Sequence, residues 1–187
     1  MMKKCIAAAI LMLTVGCATQ ESVSNPLSRT TMVTSGDISL VPQQKNTYAW
    51  HPSVDNVMAD ERIDQVAVKA HMQQAINEVM SQKGYQLVSL SSSPAMLIGY
   101  GLALEAEMSD AEIMKRAGLV PGLSTQNVDH DKYEKGSVLI AVFNPHQIQP
   151  IWRVLAQGFT DFEQSGEQRQ ARFDQLLGKM MQPIPHS

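Results

Sequence analysis

Ala95-Met96-Leu97-Ile98-Gly99-Tyr100-Gly101-Leu102-Ala103-Leu104-Glu105 alternates residue by residue. Met96, Ile98, Tyr100, Leu102 and Leu104 fall on one side, and Leu97, Gly99, Gly101, Ala103 and Glu105 on the other. A period of two marks a β-strand. A strand that is bulky on one face needs another layer against that face, and helices are the expected layer. The thin face, with its two glycines, is expected to border a close neighbour or a bulge. Gly99-Tyr100-Gly101 is not a phosphate-binding loop, because no third glycine and no helix follow it.

The helices lie on either side in sequence. Upstream, Val68, Met72, Ala75, Ile76, Val79 and Met80 recur at three- and four-residue spacing, which predicts a helix from an N-cap at Asp60 to Lys83. Gly84 takes the C′ place that glycine favours. Downstream, Phe173, Leu176, Leu177 and Met180 form the stripe of a second long helix over 167–181, stopped by Pro183 and Pro185. The adjoining Met180-Met181 pair reads as core filler rather than as a copper(I) site. Ser109-Asp110-Ala111-Glu112 is a capping box that opens a short helix to Ala117. Gly118 then breaks regular structure, and a long excursion runs to Lys135.

Further strands are expected at Thr30–Val33, at Ile38–Val41, at Thr47–Trp50 (halted by Pro52) and at Tyr85–Leu90. Ser137–Asn144 is the most apolar run and is expected to be central. Across a type I turn at Asn144-Pro145, Ile151–Thr160 returns as its hairpin partner. The fold class is therefore α+β: a mainly antiparallel sheet of about four to six strands, with two long helices packed on one face.

The chain of 187 residues carries a formal charge of −3, with acidic and basic residues interspersed. Nucleic-acid binding requires a basic footprint and is set aside. Met1 to Cys17 has the form of an export signal: Lys3 and Lys4, an apolar run from Ile6 to Val15, and small residues ahead of Cys17. The run is about ten residues, half the length that spans a bilayer. Thr14-Val15-Gly16-Cys17 resembles the lipobox of bacterial lipoproteins. That resemblance implies cleavage before Cys17 and lipidation, as with palmitate, of its thiol. Ordinary cleavage near Ala18, giving a soluble periplasmic protein, is the rival. Ala18, in place of the aspartate that retains such lipoproteins at the inner membrane, implies the outer membrane, with the protein facing the periplasm. Cys5, the other cysteine, leaves with the leader, so no disulfide is available. The divisions are a signal peptide over 1–16, a flexible tether over 17–29, one domain over 30–183 and a tail over 184–187.

No catalytic, cofactor or metal residue is assigned. His51, His71, His130, His146 and His186 are scattered through turns and ends. Gly-x-Ser-x-Gly, His-Glu-x-x-His and Ser-x-x-Lys are absent from the sequence. Asp129-His130-Asp131 cannot turn three consecutive side chains onto one ion. Trp50 reads as a core plug, with His51 beside it at the strand end. The chain is not expected to be an enzyme.

The order of short motifs carries a family resemblance. Thr47-Tyr48-Ala49-Trp50 is followed by a helix ending Lys83-Gly84-Tyr85. An Ala95-Met96-Leu97-Ile98-Gly99-Tyr100 strand comes next. Tyr133-Glu134-Lys135-Gly136 then leads through a turn to Ile151-Trp152-Arg153, and an amphipathic helix closes the unit. Behind a lipobox, this resembles the lipoprotein family known as domain of unknown function 4136, over roughly Asn46 to Pro183. The resemblance implies no activity. Two functions are expected to compete. One is an accessory lipoprotein that docks on an envelope partner through 108–135, with Leu119, Val120 and Leu123 exposed. The alternative is a carrier for a lipid or other apolar ligand in a cleft between sheet and helices.

Overall fold

The structure is a computed structural model that describes residues 25–41 and 45–187. Cys17 and the leader lie outside the described residues. The elements follow in the order β1 (Thr30–Gly36), β2 (Thr47–Met58), α1 (Gln65–Gln82), β3 (Gln86–Leu87), β4 (Met96–Leu104), α2 (Asp110–Ala117), β5 (Tyr133–Phe143), β6 (Pro150–Asp161) and α3 (Gly166–Met180). The strands make one six-stranded sheet in the order β1-β6-β5-β4-β2-β3. The pairings from β1 to β4 are antiparallel, and β2 runs parallel to both β4 and β3. The parallel pairings arise because α1 carries the chain across the sheet between β2 and β4, as a parallel connection must. The fold is the expected α+β with a mainly antiparallel sheet, and the parallel pairings are confined to the β4-β2-β3 edge.

The bulky face of β4 meets the long helices. Met96, Ile98 and Tyr100 are fully buried against Met72, Ile76 and Met80 of α1 and Leu177 and Met180 of α3. Each such side chain contributes roughly 1.5–3 kcal/mol by leaving water. Met181 is equally buried, so the methionine pair fills core. The helices converge at their C-terminal ends, where Lys83 Nζ donates to the carbonyls of Gln182 (3.2 Å) and Ile184 (2.7 Å). Ile184 is buried and Ser187 N donates to Lys83 O at 2.9 Å, so the expected tail packs against the end of α1.

The thin face is covered too. α2 and the chain after it lie across it, and Ile113 and Leu119 pack on Leu155 with Val33 and Leu139 at their edge. The capping box forms as read: Ser109 Oγ accepts from Glu112 N, and Glu112 accepts in return from Ser109 N. A Cβ on Gly99 would stand 2.7 Å from Val54. Val54 lies where β2 slips register against β4, between Trp50 and Asp55. The glycine thus borders both a close neighbour and a bulge.

Several boundaries differ from the reading. β2 runs on through Pro52 because the bulge absorbs it, and because β3 pairs only with Thr47 and Tyr48, leaving that edge of β2 free of ladder bonds. The N-cap of α1 is Asp64, which accepts from Val66 N and Ala67 N at 3.0 Å. Asp60 instead holds the Arg62 guanidinium, Nε to Oδ1 at 2.9 Å. Ile38–Leu40 is a turn of 3-10 helix, since Gly36 breaks β1 at φ +95° and Asp37 caps Ser39 N at 2.9 Å. Tyr85–Leu90 supplies only the two residues of β3 before another 3-10 turn at Leu90–Ser92. Ahead of β1, Asn25 caps a 3-10 turn over Pro26–Ser28, and Arg172 Nη2 donates to Leu27 O at 2.8 Å. The last part of the expected tether is therefore docked on α3.

Candidate functional site

The excursion over 108–135 does not display the apolar residues that would have made it a contact surface. Leu119 and Leu123 are 5 % and 7 % exposed, and Val120 is half-buried. Their partners are Leu155 and Phe159, odd-numbered side chains of β6. Gln157 pins the segment from beneath. Fully buried, it accepts from Leu123 N at 2.9 Å and donates to Asp110 Oδ1 at 2.6 Å and Ser137 Oγ at 3.1 Å. Lys135 adds contacts to Glu105 at 2.9 Å and Asp110 at 3.0 Å. Burial works against its ammonium, yet the hydrogen bonds and charges of Glu105 and Asp110 together outweigh burial and raise its pKa above the ordinary lysine value.

The histidines stay apart. His51 stacks on Phe143 at 4.3 Å, and burial lowers its pKa. His71 Nε2, on α1, is buried and lies 2.8 Å from Asp174 Oδ1 on α3. His130, His146 and His186 are exposed. Asp129 spends its carboxylate on Asp131 N at 3.0 Å. Among the described residues, no group of three or more metal-binding side chains converges. Among them, too, no helix is long and apolar enough to cross a membrane. Trp50 is half-buried between Tyr48 and Tyr100, edge to face at 5.9 and 5.5 Å.

What the structure brings together is a cleft of about 690 Å³ between the sheet, the N-terminal half of α1 and the length of α3. The helices that close on the core at their C-terminal ends leave a hollow here, and the reason lies on its floor. Gly136 of β5 and Gly158 of β6 are paired directly across the ladder. Both line the cleft, on the strand faces that carry Val138 and Ala156 one pair further along. Two absent side chains at one cross-strand position leave the helices nothing to rest on. Leu102, Leu104 and Val138 continue the floor, Ile63, Ala67 and Val68 form the α1 wall, and Phe173 and Leu176 the α3 wall.

The mouth is cationic. Arg62 lies over the Phe162 ring at 4.4 Å and is neutralised by Asp60 and Glu134, whose hydrogen bonds hold its pKa well above the usual value. Arg169 Nη1 donates to Phe162 O at 3.2 Å and to Gln164 O. Arg172 Nη2 donates to Leu27 O at 2.8 Å and Phe159 O at 3.2 Å. Burial pulls the Arg172 guanidinium below its ordinary pKa, and the charge of Asp161 works in the other direction.

Neither glycine nor either arginine stood out in the sequence. Gly136 and Gly158 lie 22 positions apart and become neighbours only through the β5–β6 register. Arg169 and Arg172 share a face with Phe173 and Leu176 at helical spacing, and that spacing is the sequence signal that places them beside the apolar stripe.

Fold and cleft define an α+β protein with an open hollow between its sheet and its long helices. The chain belongs to the family described as domain of unknown function DUF4136, which matches residues 33–186. No curated protein sequence matches it. Among solved structures, it is similar to the PelC dodecamer from Paraburkholderia phytofirmans, at TM-score 0.49 and 8 % identity, over 85 % of this chain and 99 % of that one. It is also similar to a DUF4136 family protein from Bacteroides thetaiotaomicron VPI-5482, at TM-score 0.42 and 12 % identity, over 84 % of this chain and 98 % of that one.

Proposed function

We propose that this protein is a lipid-anchored envelope protein of the periplasmic side whose domain holds an apolar ligand in the cleft between its sheet and its two long helices. The observation that carries the binding half is the hollow above Gly136 and Gly158. Its volume of about 690 Å³ sits within the roughly 300–1,000 Å³ of small-molecule sites. An apolar cleft of this size exposed to water is unfavourable unless something fills it. Docking on an envelope partner through 108–135 is the weaker reading, because the leucines that were to make the contact are buried beneath that segment.

The anchoring half is supported by the lipobox-like end of the leader, Thr14 to Cys17. Three acyl chains on one cysteine, as the lipoprotein resemblance implies, make a firm anchor where one alone is marginal. Mild purification followed by solvent extraction and mass spectrometry tests the first half: a stoichiometric aliphatic compound is expected, and a clean extract removes the carrier reading. Detergent phase partition tests the second. The wild-type chain is expected in the detergent phase and Cys17→Ser in the aqueous phase; a wild-type chain found in the aqueous phase removes the anchor.

A further inference from the structure

The basic side chains that line the cleft differ in how they are paired and how deeply they sit. Arg62 stands in ion pairs with Asp60 and Glu134, and Lys179, which has no such pair among the described residues, is exposed to water. Arg169 and Arg172 are half-buried, line the cleft and have no carboxylate within ion-pair distance among the described residues. Their hydrogen bonds go to main-chain carbonyls, each from a single nitrogen, so most of each guanidinium fork is free. Asp161 acts on Arg172 only from beyond ion-pair distance, its ion pair being with Lys132 at 3.8 Å, and the net effect of the surroundings still lowers the Arg172 pKa. A cation drawn partly out of water is costly unless a counter-ion meets it. Three residues apart on α3, the two side chains sit on one helical face, one helical turn before the apolar wall of Phe173 and Leu176.

We infer that the cleft is built for an anionic amphiphile, its aliphatic chain over the Gly136–Gly158 floor and its head group against Arg169 and Arg172. The inference rests on the cleft reading above and adds the chemistry of the ligand. Carboxylates and phosphates both suit guanidinium forks, which grip two oxygens at once. Apolar walls of Leu102, Val138, Phe173 and Leu176 suit an aliphatic chain rather than a polar ring system.

The test is photo-crosslinking on the full-length chain in its membrane-bound form. Three probes carry a diazirine in the chain: hexadecanoate, hexadecyl phosphate and hexadecanol. Labelled peptides are mapped. Expected is labelling in β4, β5 and α3, half-maximal at about tenfold lower concentration for the two anions than for the alcohol, as one charged hydrogen-bonded pair supplies. Arg169→Gln, alone and with Arg172→Gln, should raise the anion concentrations to that of the alcohol. Arg169→Lys with Arg172→Lys should restore part of the preference, which a merely structural role would not do. The single variant matters because Arg172 also holds Leu27. Carboxylate against phosphate tells which anion the site prefers, and either preference over the alcohol upholds the inference. Equal labelling by all three probes within the cleft overturns the head-group inference and leaves the cleft reading intact. Labelling outside the cleft, unchanged by Gly158→Val, overturns both.

Discussion

Gly158 has no side chain, and that absence decides how much room lies beneath the helices. A Cβ built there would meet Thr30 Oγ1 at 3.6 Å, and one on Gly136 would meet Leu104 Cδ2 at 3.8 Å, both ordinary contacts. Neither glycine has the positive φ that would bar a side chain. Gly158→Val should therefore fold, and thermal unfolding should show it as stable as wild type or more so, by about 0.5–1 kcal/mol, because glycine weakens a strand interior. The same variant should lose the compound recovered by solvent extraction. Gly36 behaves oppositely: its φ is +95° and a Cβ would lie 2.2 Å from Ile151 O. Gly36→Ala should cost more than about 1 kcal/mol in urea unfolding, since the strained backbone and the clash add. Sequence could flag Gly99 and Gly101, which fall together in one alternating run. It could not flag Gly136 and Gly158, whose meaning depends on which residue of β5 faces which residue of β6.

At the level of elements, what could be read was what repeats locally. α1, α3, the capping box of α2, the alternation of β4 and the β5–β6 hairpin all follow from spacing within one segment. The layer beneath the thin face did not. Leu119 and Leu123 sit in an irregular stretch, and only the packing of that stretch on Leu155 and Phe159 shows them to be interior. Gln157 was hidden for the same reason: a glutamine in a strand reads as solvent-facing until its three partners are seen. Its removal gives a direct test. Gln157→Leu should leave Leu123 N without its buried acceptor and cost about 1–3 kcal/mol. Hydrogen exchange should rise through 118–132 and stay unchanged in α1, because the loss is local to one layer.

For the molecule as a whole, the buried tyrosines set the alkaline limit. Burial pushes the Tyr48 phenol up to about 12 from the ordinary 10.0, and burial raises Tyr85 and Tyr100 as well. The unfolded chain gives up these protons first, so it binds fewer of them than the folded chain between those two pH values. Stability must fall as pH rises through that window. Urea midpoints at about pH 9 and about pH 11 should show the fall, and Tyr48→Phe should reduce but not abolish it, since the other two phenols remain. A fall of the same size in Tyr48→Phe would remove Tyr48 from the account.

Because the empty volume comes from one cross-strand pair, its size is adjustable in steps. Ala, Val and Leu placed in turn at Gly136 or Gly158 form a graded series, each member occupying more of the same space while Leu139, Leu155 and the layer behind them stay untouched. The longest chain the protein retains should shorten in that order, which would make two positions a gauge for molecular length.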